Sequence, residues 1–316
     1  TTQGSWFDNH RGAMISLERV SVQRHGVIAL DQFTHTIHPG QSVAVIGPSG
    51  SGKTTLLETL ATLLPIHSGT FSLPDLGSTT DSQSVQRAIG YVPDSIPTWP
   101  MIRVDECLEL FASSFGLRRN QISDAVSRSL EEVALQNLYG HRIDTLSSGQ
   151  SKRLLIARAL LCEPSILLFD NPYSGLDPAG YRIVEQLVSN SQITGRIILA
   201  AFNDGNISEN FTDLIVMKDG RKISGDRFKP ELFTDVTAWR IRLKCPSSAV
   251  LAARILGHLT VSSTIIDEDY LLCDLATHRG PIEEALAALT KAGCPIATCA
   301  YDPPWPAQVL GALVHD

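Results

Sequence analysis

The sequence predicts an α/β fold, a mainly parallel β-sheet covered by helices on both faces, followed by a small α+β domain. Three observations predict it. Short apolar segments at residues 41–46, 165–169 and 196–201 alternate with helical patterns, and strands buried on both faces belong to parallel sheets flanked by helices. A glycine-rich turn joins the first of these strands to a helix. Near residues 228–230 the composition shifts, and a β-α-β-β-α-β order begins.

The elements follow in chain order. Residues 14–20 and 26–30 read as short strands, and residues 41–46, with Ser-Val-Ala-Val-Ile, as a buried one. Residues 54–64 place Leu56, Leu57, Leu60, Leu63 and Leu64 on one helical face, and Pro65 ends that helix. Gly69, Pro74 and Gly77 mark turns before a strand at 87–92. Residues 100–145 are predicted helical: Val104, Cys107, Leu108 and Phe111 share one face, and Val126, Leu130, Val133 and Leu135 another. A helix over 149–162, the strand at 165–169, a helix over 181–190 and the strand at 196–201 come next. Asp219-Gly220 is a hairpin turn between strands at 214–218 and 221–224. Beyond residue 228, Trp239, Ile241 and Leu243 alternate with Arg240, Arg242 and Lys244, as in a half-buried strand. Helices at 247–258 and 281–291 and strands at 261–266, 270–275 and 295–301 complete a ferredoxin-like order. A packed tail helix is expected at 309–314.

Composition excludes several classes. With 43% hydrophobic and 19% charged residues among 316, the chain can bury a core for about two domains. Its net charge of -7 argues against nucleic acid as a partner, because phosphate backbones need a surplus of Lys and Arg. Cys107, Cys162, Cys245, Cys273, Cys294 and Cys299 form no C-x-x-C pair, so reduced, mostly buried thiols are expected rather than a metal site. No apolar run has the roughly 18 residues of a membrane helix. Residues 1–13 read as an N-terminal extension ahead of a candidate start at Met14.

The strongest motif is Gly47-Pro48-Ser49-Gly50-Ser51-Gly52-Lys53-Thr54, a G-x-x-x-x-G-K-[ST] between a strand and a helix. Its glycines let successive backbone N–H groups turn toward phosphate oxygens, and the helix that follows aims its positive end at them. Lys53 is expected to neutralise β- and γ-phosphate charge and Thr54 to place its hydroxyl on Mg²⁺. Thr55 is expected among the nucleotide-binding residues with them.

A second marker, Leu146-Ser147-Ser148-Gly149-Gln150, falls about 90 residues later, before an apolar strand ending in Asp170. With the phosphate loop it closely resembles the ABC ATPase family over about residues 14–225, with Ser148 where Gly is commoner. The resemblance implies a P-loop NTPase nucleotide-binding domain over 14–228, with a helical subdomain at about 95–145, and an accessory domain over 229–316. It implies ATP and Mg²⁺ as cofactors, with Thr54 and Asp170 at the metal and His25 stacking on adenine. It also implies a head-to-tail dimer, in which Ser147, Ser148, Gly149, Gln150 and the D-loop residue Asp177 serve ATP held by the opposite chain.

The chain departs from the family where chemistry is done. Asp94 stands in place of the Gln that touches metal and water, and Asn171 in place of the Glu that polarises the water. Phe202, or Asn203 if the alignment shifts by one, stands in place of the His that contacts the γ-phosphate. An amide cannot accept a proton, and a positioned base contributes about 10²–10⁴-fold, so slow hydrolysis is expected. The expected partners are a transmembrane permease and a second ABC ATPase chain, a non-degenerate paralogue in the preferred arrangement and a second copy in the alternative. The expected place is the cytoplasmic face of the cell membrane, and the expected direction is export. Trp99, Met101, Phe111 and Phe115 are candidates for a groove that receives the permease. A regulatory or scaffold ATP-binding protein, and a soluble ABC protein of DNA repair or translation, are the competing readings.

Overall fold

The computed structural model describes residues 14–74, 82–96, 101–203, 207–208, 210–227, 238–244, 248–256, 260–265, 270–276, 287–296 and 298–302. Expectations for residues 1–13, Trp99 and 309–314 lie outside these residues. The chain divides into two compact units, one of residues 1–203 with 207–228 and one of 204–206 with 229–316.

In the first unit, strands β1 (Ile15–Arg24) and β2 (Val27–Ile37) form an antiparallel hairpin, and β1 also pairs with β4 (Ser68–Ser72). The hairpin turns at His25 and Gly26, whose φ values of 51° and 79° match the left-handed pair that a two-residue hairpin turn needs. Sequence patterning shows these strands only in part, because Glu18, Arg19 and Gln32 interrupt the alternation at bulges.

The second sheet has the order β5-β6-β7-β3-β8-β9. Its members are β3 (Ser42–Ile46), β5 (Ile89–Val92), β6 (Ile166–Asp170), β7 (Ile197–Ala201), β8 (Asp213–Lys218) and β9 (Arg221–Arg227). Pairings run parallel from β5 to β8, and β9 closes the edge as the antiparallel arm of the Asp219-Gly220 hairpin. β3, β6 and β7 are buried at every position, which is why they read as unbroken apolar runs.

Helix α1 (Lys53–Leu60) leaves the end of β3 and packs Leu56, Leu57 and Leu60 into the core. α2 (Ser82–Ala88) leads into β5. The expected helical stretch at 100–145 resolves into α3 (Val104–Ser114), α4 (Arg119–Glu132) and two short 3₁₀ turns. Gly116 at φ 75° ends α3 and lets the chain reverse. α5 (Ser148–Leu160) runs back toward β6, then α6 (Pro178–Ser189) and α7 (Ser191–Thr194) precede β7.

The second unit holds β10 (Ala238–Lys244), α8 (Ala249–Leu256), β11 (Thr260–Ile265), β12 (Tyr270–Ala276), a helical segment at 287–291 and β13 (Thr298–Asp302). Its antiparallel sheet has the order β11-β12-β10-β13. Leu243, Ala252, Leu256, Leu271 and Leu289 form its core.

Candidate functional site

The site sits where the parallel strands end. Ligands of open α/β sheets bind beyond the carboxyl ends of strands, and here β3 ends at the phosphate loop and β6 ends at Asp170. Gly47 is buried at the end of β3, Pro48 is half-buried, and Ser49 and Gly50 are exposed, so the crest of the loop faces solvent. Ser51 N–H donates to Pro48 O at 3.0 Å, and Ser51 O accepts from Gly220 N at 3.0 Å, which ties the loop to the β8–β9 hairpin. Gly52 has φ 100°, and a Cβ there would lie 2.5 Å from Ala29 O of β2, so no other residue lets the two backbones approach.

Lys53 is buried, and its ammonium donates to Gly47 O at 2.8 Å and Pro48 O at 3.1 Å. Burial lowers its pKa, opposed by the Asp170 carboxylate. Thr54 Oγ1 donates to Asp170 Oδ2 at 2.8 Å, while Asp170 Oδ1 and Ser51 Oγ are buried with no protein partner. Burial raises the Asp170 pKa, and the Thr54 hydrogen bond works against that shift. A hydroxyl bonded to a carboxylate whose other oxygen is unsatisfied is a donor set suited to a hard divalent cation. Buried orphan acceptors are rare unless an ion or water completes them. Thr55 is buried in the first turn of α1, behind the loop, and His25 is exposed at the tip of the β1–β2 hairpin.

Asn171 follows Asp170 directly. It lies at φ 52°, its N–H donates to Ala201 O at 2.8 Å, and its carbonyl accepts from Ser174 N at 3.1 Å. Asn tolerates this left-handed backbone better than most residues do. Asp94 lies beyond β5, half-buried, and its backbone carbonyl accepts from the Lys152 ammonium at 2.9 Å.

Phe202 follows β7 directly. It is 1% exposed and packs against Tyr173 and Phe211 at centroid distances of 5.9 and 5.4 Å. Asn203, the next residue, is exposed. Of the two residues the sequence leaves open for the γ-phosphate contact, Phe202 is thus the buried one and Asn203 the exposed one. Period-two alternation along β7 gives no help, because every side chain of that strand is buried. Tyr173 donates to Glu185, which also accepts from Ser208 and Asn210 at 2.7 Å. This network links the segment after Asn171 to the segment after Asn203.

The second motif opens α5. Ser147 Oγ accepts from Gln150 N at 3.2 Å and Gln150 Oε1 accepts from Ser147 N at 2.9 Å, a reciprocal capping box. Ser147 and Ser148 are exposed, and Gly149 is buried. A Cβ on Gly149 would lie 2.8 Å from Asp177 Cβ. Asp177 in turn caps α6, accepting from Gly180 N at 2.8 Å, and pairs with Arg153 at 3.0 Å. The motif and the D-loop residue therefore form one packed surface, joined within the chain rather than to the phosphate loop.

Two cations just beyond the motif carry more structure than their sequence position suggests. Lys152 is 1% exposed and Arg153 7%. Arg153 donates to Val133 O and Ala134 O, each at 2.9 Å, holding the end of α4. The signal available from sequence was two adjacent cations early in a helix whose residues 154–161 are apolar except for Arg158.

A family model described as ABC transporter matches residues 30–174. The chain is 30% identical over 213 residues to Nod factor export ATP-binding protein I of Burkholderia thailandensis, covering 67% of this chain and 70% of that one. It is 33% identical over 209 residues to the zinc import ATP-binding protein ZnuC of Cereibacter sphaeroides, covering 64% and 78%. Among solved structures, the cbiO1 chain of Clostridium perfringens, part of an ABC transporter complex, superimposes with TM-score 0.60 at 26% identity, covering 72% and 95%. A dimeric ATP-binding cassette in a post-hydrolysis state, bound to ADP and Pi, superimposes with TM-score 0.60 at 25% identity, covering 68% and 99%.

Proposed function

We infer that this chain, which belongs to the ABC transporter family as an ATP-binding subunit, holds ATP at its own phosphate loop with little hydrolysis and completes a competent site on a partner. ATP with Mg²⁺ is the cofactor of this family's ATP-binding domains, and such domains dimerise and pair with membrane permeases. One observation carries the reading: the Thr54–Asp170 pair is intact at 2.8 Å, while the adjoining residue, Asn171, has only an amide to offer.

The residues divide by role. Backbone N–H groups between Gly47 and Thr55, with Lys53, hold the triphosphate. Thr54 and Asp170 would hold Mg²⁺, which when bound neutralises phosphate charge and polarises the terminal phosphoryl group. Asn171 orients a water by hydrogen bonding but takes no proton from it. Asn203 donates an amide hydrogen bond where a cationic or neutral imidazole would stabilise developing charge better. Asp94 adds a negative charge near the same phosphates. Binding is thus retained and proton transfer is weakened.

Ser147, Ser148 and Gly149, at the N-terminus of a 13-residue helix, donate to phosphate held by the opposite chain. Gln150 braces that turn through the capping box, and Asp177 backs it from the same chain. A non-degenerate ATPase chain as partner makes use of this surface, whereas a homodimer pairs two slow sites. Residues 14–228 form the nucleotide-binding domain in this reading, and residues 229–316 an accessory domain with no catalytic constellation.

In this reading a separate permease supplies the path and the chain docks at the cytoplasmic face; no helix among the described residues is long and apolar enough to cross a membrane. Export is the direction favoured by the Nod factor export proteins of several Burkholderia and Cupriavidus species, while the zinc importer at 33% identity pulls the other way. A regulatory ATP-binding subunit is the second reading, favoured by the same Asn171.

The test is nucleotide trapping. The full chain is loaded with labelled Mg·ATP and the bound label is analysed over an hour, alone and with the co-purified complex. Retention of intact ATP on this chain is expected. Ordinary turnover by the chain alone would sink the slow-site reading, and failure to bind at millimolar ATP would sink the whole assignment.

A further inference from the structure

We propose that Lys152 is a positioning residue that fixes the backbone at Pro93–Asp94 and supplies the counter-charge that lets an aspartate occupy that position beside the nucleotide phosphates. Lys152 Nζ donates to Pro93 O at 2.8 Å and to Asp94 O at 2.9 Å. An ammonium has three donors and no acceptor, and here two of them pin consecutive carbonyls of one short turn. The side chain is 1% exposed, and a lysine is almost never this buried unless it is paired.

Burial lowers the Lys152 pKa, and the carboxylates of Asp94 and Asp170 are the two charges that oppose this shift. Lys152 therefore lies within electrostatic reach of both acidic groups at the end of the phosphate site. Asp94 in turn contributes to raising the Asp170 pKa, so the two carboxylates repel each other. A triphosphate arriving there meets like charge from both. A buried cation between α5 and the β5 end offsets that repulsion where solvent screening is weak.

The same bonds give a mechanical consequence. Lys152 is the fifth residue of α5, counted from Ser148, in the helix that opens at the motif of residues 146–150. Any displacement of the Asp94 turn on nucleotide binding is transmitted to α5 through the ammonium, with no intervening side chain.

This inference rests on Mg·ATP binding and not on slow hydrolysis, so its test reads affinity alone. Calorimetry on the full chain at fixed ionic strength compares wild type, K152Q, D94Q and the K152Q/D94Q double variant, each checked for folding by circular dichroism. Gln at 152 keeps a hydrogen-bond donor and loses the charge. K152Q is expected to weaken Mg·ATP binding about tenfold or more. The double variant is expected to bind within about threefold of D94Q, and K152R to recover most of the K152Q loss. The same factor lost in both the wild-type and D94Q backgrounds would overturn the counter-charge role, and no loss at all would overturn the proposal entirely. Where K152Q does not fold, K152M, whose unbranched stem refills the space, enters the same cycle; rescue of folding by D94Q supports the charge pairing, and unfolding in both backgrounds refutes it. Wild type that binds no Mg·ATP refutes the functional reading instead, and that outcome is distinct.

Discussion

Replacing Asn171 by Glu tests the proposed lack of a catalytic base directly. The backbone at this residue is held on both sides, by the N–H bond to Ala201 O at 2.8 Å and the bond from Ser174 N at 3.1 Å, so a new carboxylate starts from a fixed base. The cost is conformational: φ is 52°, and a Glu in the left-handed region is disfavoured by about 1 kcal/mol relative to residues that tolerate it. A domain stable by about 5–15 kcal/mol stays folded under that load. The gain is set by general base catalysis, about 10²–10⁴-fold, or about 3–5 kcal/mol at about 1.4 kcal/mol per decade. Phosphate release at saturating Mg·ATP is the assay, with a thermal melt on the same sample. An increase of at least tenfold is expected for N171E, with a further increase for N171E/N203H. A rise below threefold, in a variant that is folded and still binds ATP, would refute the claim that Asn171 limits hydrolysis.

Two further expectations concern stability. R153M removes two carbonyl bonds at 2.9 Å and leaves Asp177 without its partner at 3.0 Å, so urea unfolding should show a loss of about 3 kcal/mol; less than about 1 kcal/mol would mean that the guanidinium carries little of the α4–α5–α6 packing. Burial, then the neighbouring Lys222 ammonium, holds the His35 imidazole down to about 4, whereas the unfolded chain takes up its proton near pH 6.5. Stability therefore falls as pH drops from about 6.5 toward about 4, by about 1–2 kcal/mol once partial exposure is discounted, and H35Q should lack that slope in acid titrations followed by denaturant unfolding.

The sheet core was legible because β3, β6 and β7 are buried at all positions: a strand covered on both faces writes an apolar run, and Gly47 to Thr54 follows one of them. The β1–β2–β4 sheet was only half legible. Its register shifts place Glu18, Arg19 and Gln32 at irregular positions that break the period of two. The site was legible where chemistry is local. Thr54 and Asp170 are 116 residues apart, yet each is named by its own motif, and they meet at 2.8 Å. It was illegible where a side chain's direction decides. Phe202 and Asn203 are adjacent in sequence, and only the ring packing of Phe202 against Tyr173 and Phe211 distinguishes their surroundings. Lys152 was illegible for the opposite reason: its partners are backbone carbonyls 58 and 59 residues away, and a carbonyl leaves no trace in residue type.

Helix α5 brings these threads together. Its first turn presents Ser147 and Ser148 to solvent, and its next residues face inward with three cations in sequence. Lys152 reaches the Asp94 turn, Arg153 reaches α4 and Asp177, and Arg158 donates to Tyr91 O at 3.1 Å while lying 5.1 Å from the Phe111 ring of α3. Each cation takes its contacts from backbone oxygens, an acidic side chain or a ring face, and burial lowers the pKa of Lys152 and of Arg158. Apolar packing alone would let α5 slide by small steps, since dispersion contacts are non-directional. Charged hydrogen bonds to main-chain oxygens are directional and stronger than neutral ones, so they favour discrete positions over a continuum. A helix tied in this way to β5, the Asp94 turn, α3, α4 and the D-loop cannot shift without re-forming several of these bonds together. On the proposed reading, ATP held at the phosphate loop acts on the Asp94 turn, and Lys152 carries that movement into the helix that offers Ser147 and Ser148 to the opposite chain.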